Sequence, residues 1–217
     1  QPVNDPEGFR MEVLRVLSVD YEVDPEEFQK ARPNELAESL YRYVREAYQR
    51  KVEHIAQQAY PVIKNVFETR GDVFKNIVVP FTERMYSVVT NLEKAYRTNG
   101  EDLMRSFEKS VILAHIDDAW KEHLREMDDL KQSVQNAAYE QKDPLLIYKF
   151  ESYNLFKTMV EKINKGMVST LMKGQIPMQE PEHVREAEEK RTDLSKLRES
   201  RSEAQAAAAN REQVRHE

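Results

Sequence analysis

DLMRSFEKSVILAHIDDAWKEHLREMDDLKQSVQNAAYEQKDPLLIYKFESYNLFKTMVEKINKGMVSTLM, residues Asp102 to Met172, contains two apolar-striped segments separated by a short tip, Gln135 to Lys142. In the first, Leu113, Ile116, Trp120, Leu124, Met127, Leu130 and Val134 recur at three- and four-residue steps, the spacing that stacks side chains on one helix face. The second repeats the rhythm in Leu145, Tyr148, Phe156, Met159, Ile163, Met167 and Leu171, and Asp143 followed by Pro144 marks its start. Two such helices joined by so short a connection fold back as an antiparallel hairpin, with arms of about 50 Å and about 40 Å at 1.5 Å per residue.

Working outward, the upstream chain also reads as helical. Asp5-Pro6 opens a short helix to about Ser18, and Asp24-Pro25 opens another that Pro33 stops. Asn34 is the expected cap of a long helix carrying Leu36, Leu40, Val44, Ala47, Ile55, Ala59, Ile63 and Val66, which Pro61 kinks or splits and Gly71 ends. From Asp72 to Arg97 the flanking apolar spacing outweighs the strand-like Ile77-Val78-Val79 and predicts a helix kinked at Pro80, closed by Asn99-Gly100. After Ile176 the chain turns to Glu, Arg, Lys, Ala and Ser, a linker or a lone solvated helix.

The fold class expected is therefore all-α: residues 1–99 a helical region, 100–176 the hairpin and 177–217 a charged C-terminal tail, helical or disordered. Of 217 residues 33% are charged, with a formal net charge of −6, an acidic balance that argues against a nucleic-acid partner. With no cysteine the chain has neither disulfides nor thiolate metal sites. No run reaches the ~18 apolar residues of a membrane span, so any membrane contact is expected to be peripheral. The chain begins at Gln1, which suggests a piece of a longer protein.

The letters on the hairpin carry a resemblance. Phe107-Glu108-Lys109, Asp117, Trp120, His123-Leu124, Met127-Asp128, Leu130-Lys131-Gln132, Tyr139, Gln141, Asp143-Pro144, Tyr148-Lys149, Glu151, Phe156 and Met159 stand in one order and spacing. This string resembles the helical-scaffold region of the SecA family, ATP-driven motors of bacterial preprotein export. It is dense from about Ser106 to Ile176; upstream, in the part corresponding to the family's helical wing, it rests mainly on Tyr48-Gln49-Arg50-Lys51. Because Ile55 to Arg105 intervenes before the Phe-Glu-Lys motif, that stretch is read as an enlarged wing or an extension of the scaffold arm.

The resemblance implies a two-helix finger whose tip, Tyr139 with Ala138, Glu140 and Gln141, touches passing polypeptide. Trp120, His123, Leu124, Met127, Asp128, Asp143, Pro144 and Tyr148 form its scaffold motif. It implies an ATP-driven protein translocase on the cytoplasmic face of the bacterial membrane. Its partners would be a SecYEG-type channel, unfolded preprotein and nucleotide-binding domains of the same parent chain, with a homodimer left open by the sequence. ATP and magnesium would belong to the parent. This piece carries no Gly-rich stretch followed by Lys-Ser or Lys-Thr, so no nucleotide site, cofactor or catalytic residue is expected within it.

Other readings are narrower. His115, Asp118 and Glu122 share a helical face, but no matching Glu-x-x-His pairs accompany them, and solvated polar residues are expected there rather than a metal. Trp120 reads as a core anchor. The family's cysteine-built zinc end is not in this chain, and His183 and His216 give no grounds for a metal. A reading of a different class is a cytosolic helical scaffold or partner-binding bundle without a transport role, which predicts a buried or freely replaceable tip.

Overall fold

In the computed structural model, the residues described are 5–82, 86–137, 143–177 and 184–187, with the side chains of 135–137 left aside. They are mostly helical, as expected. Helix α1 spans Pro6–Leu17, α2 Pro25–Lys30 and α3 Pro33–Arg70. Aspartate before proline starts both short helices: Asp5 Oδ1 accepts from Gly8 N at 2.9 Å, and Asp24 Oδ1 from Glu26 N at 2.8 Å, satisfying donors that a helix start leaves free. The α3 cap falls at Arg32 rather than Asn34, with Pro33 as the first helical residue and Arg32 N donating to the Glu35 carboxylate at 3.2 Å. Helix α3 runs through Pro61 without a break. Phe9, Tyr21, Phe28 and Tyr43 bring the two short helices against its N-terminal half through ring contacts, and Tyr43 Oη donates to Asp20 O at 2.7 Å.

The helix expected over Asp72 to Arg97 is replaced by two strands and one short helix: β1 (Asn76–Phe81), β2 (Tyr86–Asn91) and α4 (Leu92–Arg97). Strands β1 and β2 pair antiparallel from Asn76↔Asn91 to Phe81↔Tyr86. The period is two, not 3.6: Ile77 and Phe81 on β1 and Val88 and Thr90 on β2 are buried, in register Ile77↔Thr90 and Phe81↔Tyr86. β-branched residues dominate both runs, and their stiff side chains suit a pleated surface better than a helix. Pro80 is tolerated because it lies beyond the two positions, Ile77 and Val78, at which β1 pairs its outer neighbour.

That outer neighbour corrects the reading of the tail. Residues Arg185–Glu186 form a third strand, β3, pairing antiparallel with β1 as Ile77↔Glu186 and Val78↔Arg185, so the sheet order is β2-β1-β3. Helices α5 (Glu101–Ala137) and α6 (Pro144–Lys173) follow the expected hairpin, with arms of about 55 Å and about 45 Å. A positive φ of 92° at Gly100 turns the chain from α4 into α5, where a Cβ would lie 2.7 Å from Ala56 O. One buried core joins α3 (Ile55, Ile63, Val66), the sheet (Ile77, Phe81, Val88), α4 (Leu92, Ala95) and the start of α5 (Leu103, Met104, Phe107, Val111). The base of the hairpin is therefore part of the core, and its arms run away from it.

Candidate functional site

The candidate site is the hairpin and the residues that fix its base. Phe107, fully buried, stacks on Phe81 of β1 with ring centroids 4.1 Å apart and planes 7° apart, while Tyr86 of β2 meets it edge-on. A Cβ on Gly174 would lie 2.5 Å from the Phe107 ring, so only glycine lets the end of α6 come this close. Gln175 O then accepts from Thr82 N at 2.7 Å, fastening the chain beyond α6 to the end of β1.

Three side-chain bonds tie the long helices together. Tyr48 of α3 donates to Glu108 of α5 at 2.8 Å, and Lys51 of α3 donates to the Met172 carbonyl near the end of α6. His115 of α5 meets Thr170 of α6 at 2.9 Å. Burial, with the Glu108 carboxylate beside it, pushes the Tyr48 phenol well above its ordinary range; burial pushes the Lys51 ammonium down. The Tyr48-Gln49-Arg50-Lys51 and Phe107-Glu108-Lys109 motifs, far apart in sequence, thus meet at one node.

Along the arms, the seam differs from the expected stripe. Met127 and Leu130 are half-buried and Val134 is buried, as that stripe requires. Nearer the base, however, the side chains that face inward are Ala119 and His123, both buried, with Val111 fully buried and His115 half-buried; Trp120, Leu124, Leu113 and Ile116 are exposed. Trp120, at 47% exposure, is not a core anchor of this chain. The inward row Val111, His115, Ala119, His123, Met127 steps by fours, the ridge along which helices pack closely, and a small alanine and a glycine opposite admit the approach. A Cβ at Gly166 of α6 would come 2.9 Å from the His115 ring. His115 therefore belongs to the seam, not to a solvated face, whereas Asp118 and Glu122 remain exposed beside Lys162 on a small cavity. Among the described residues no cluster has a metal-holding arrangement.

His123 sits between the rings of Trp120 (5.6 Å) and Phe156 (6.1 Å), its Nδ1 buried and without a partner. Asp143 caps α6, accepting from Leu145 N at 2.9 Å and Leu146 N at 3.4 Å, with Pro144 first in the helix. Asp128 is exposed and Tyr148 half-buried. Tyr139, Ala138, Glu140 and Gln141 lie outside the described residues. What sequence reasoning missed is the base: nothing in the letters announces that Gly174, Phe107 and Phe81 converge. The four-residue step upstream from Met127 to His123 and Ala119 was the available signal for the seam.

A broad apolar face is left over. Leu113, Trp120 and Leu124 on α5 and Phe150, Tyr153 and Phe156 on α6 are all exposed, large apolar side chains of the kind that mark an interaction surface. Among the described residues no helix is long and apolar enough to cross a membrane.

Fold and site together define a mostly helical module in which a base of helices and a small sheet is joined through one core to a long two-helix arm. A family model described as "SecA Wing and Scaffold domain" matches residues 3–175. The chain belongs to the SecA family. It is 50% identical over 187 residues to the "Protein translocase subunit SecA" of Phocaeicola vulgatus, covering 85% of this chain and 17% of that protein. The corresponding protein of Christiangramia forsetii is 50% identical over 185 residues (84% and 16%), and that of Porphyromonas gingivalis 43% over 229 residues (97% and 21%). The chain thus spans 16% to 21% of the length of these relatives.

Proposed function

We propose that this chain is the wing and scaffold of an ATP-driven preprotein translocase, and that the α5–α6 hairpin is the lever through which nucleotide hydrolysis elsewhere in the parent moves polypeptide into a membrane channel. The supporting observation is mechanical. Both arms are seamed along their length, and the base is held by Tyr48–Glu108, Lys51–Met172 and the Phe81–Phe107 stack, so displacement of α3 is passed to the arm rather than absorbed at a hinge. The exposed face of Trp120, Leu124, Phe150 and Phe156 is where the motor domains of the same parent would pack, taking their ATP and magnesium with them.

The resemblance assigns the tip to Tyr139, with Ala138, Glu140 and Gln141 around it. A phenol grips varied chains through its ring face while its hydroxyl bonds passing backbone, without reading sequence. The partners of this reading are a SecYEG-type channel and unfolded preprotein, with the parent peripheral on the cytoplasmic face of the bacterial membrane. In the parent protein, Tyr139→Ala should preserve ATP hydrolysis and lower preprotein transport several-fold in a vesicle import assay. Transport at the unmodified rate would remove the grip from the mechanism.

A further inference from the structure

Behind the outer edge of β1 lies an apolar cavity of about 440 Å³, walled by Val62, Ile63 and Val66 of α3 and by Ile77 and Val79 of β1, with Gln58 the one polar side chain on it among the described residues. We propose that this edge and cavity form a binding site for an extended aliphatic strand of another polypeptide, and that Val184–Glu186 of the chain itself is an exchangeable occupant. The site is separate from the hairpin tip, and its test needs only this chain and a peptide, so its failure leaves the transport reading standing.

The kind of ligand is shown by the strand already seated. Extending the register Ile77↔Glu186 and Val78↔Arg185 by one residue sets Val184 opposite Val79, on the face that lines the cavity, and Val184 is accordingly buried. The edge thus takes an antiparallel strand and places every second side chain toward the cavity, the geometry of strand addition. The seated strand uses this poorly. Its next inward-register residue, Glu186, is exposed with its carboxylate in water, and its neighbour Arg185 is exposed too. Among the described residues the ladder has two pairs, and beyond Val79 the edge offers Pro80, which has no N–H, and then Thr82, whose N–H is taken by Gln175 O. So short a pairing is marginal by itself. A strand with aliphatic residues two apart would fill both inward positions where the chain fills one.

The probe is a fluorescein-labelled peptide of sequence KTVTVTK, followed by fluorescence anisotropy, with KTDTDTK as control. Val184→Asp, which drives the seated strand off the edge, should bind the valine peptide at least tenfold more tightly than the unmodified chain. Glu186→Val, which completes the seated strand, should bind it several-fold more weakly, and the aspartate peptide should bind none of the three. Equal affinity across the three proteins overturns the proposal, as does a lack of binding by a folded Val184→Asp. If Val184→Asp does not fold, the other pair decides: no binding by the unmodified chain at millimolar protein, or binding equal to that of Glu186→Val, overturns it.

Discussion

Tyr48 and Glu108 illustrate how much depends on single bonds at the node. The phenol donates to a carboxylate in a half-buried setting, a bond of the kind worth about 1 to 2 kcal/mol. Because burial and the neighbouring charge raise its folded-state pKa above the unfolded value of 10.0, its contribution is whole below that pH and is lost as pH rises through the folded pKa. Tyr48→Phe should therefore lower the stability of the chain by about 1 to 2 kcal/mol at neutral pH. The difference from the unmodified chain should shrink above about pH 10, as measured by urea unfolding across pH. A difference that stays constant into the alkaline range would mean that the bond does not form. Gly174 matters for another reason: its backbone occupies space against Phe107 that no larger residue can share.

At the scale of the element, the seam of α5 makes a prediction opposite to that of a simple apolar stripe. Ala119 faces α6 and is buried, whereas Trp120 next to it is half in water. Ala119→Leu should destabilise this chain by about 1 to 3 kcal/mol through overpacking, and Trp120→Gln by less than about 1 kcal/mol, both read from denaturant midpoints. The reverse order would put the tryptophan in the seam.

The same contrast shows what the sequence made legible. Helix starts were plain, since Asp5-Pro6, Asp24-Pro25 and Asp143-Pro144 are local chemistry acting on adjacent backbone. The hairpin was legible from spacing together with the short tip. The phase of the seam was not, because hydrophobicity marks Trp120 and Leu124 without saying whether they meet α6 or some other surface, and close packing selected the smaller Ala119 and His123 instead. The sheet was misread because Val, Ile and Phe at mixed spacings fit both periods, and pairing between β1 and β2 is a tertiary fact. Strand β3 is two charged, exposed residues, and only the burial of Val184 beside it betrays a fixed position.

At the scale of the whole molecule, the described residues form a base and an arm. The core that unites α3, the sheet, α4 and the start of α5 also has Met167 and Leu171 of α6 packed against it, so both arms are anchored in the same core as the sheet. The small sheet has a structural role here: Phe81 of β1 and Thr82 just after it hold Phe107 and the chain after α6. On the proposed function, the arm transmits force only if its two helices keep their separation while the parent's motor domains cycle.

Spin labels on the exposed Lys131, in the last turns of α5, and Lys149, in the first turns of α6, report that separation directly in the parent protein by double electron–electron resonance. One narrow distance distribution, unchanged between nucleotide-free protein and protein hydrolysing ATP, is expected of a rigid arm driven from its base. A broad distribution, or two distances that exchange with nucleotide, would show the arms parting and contradict the lever.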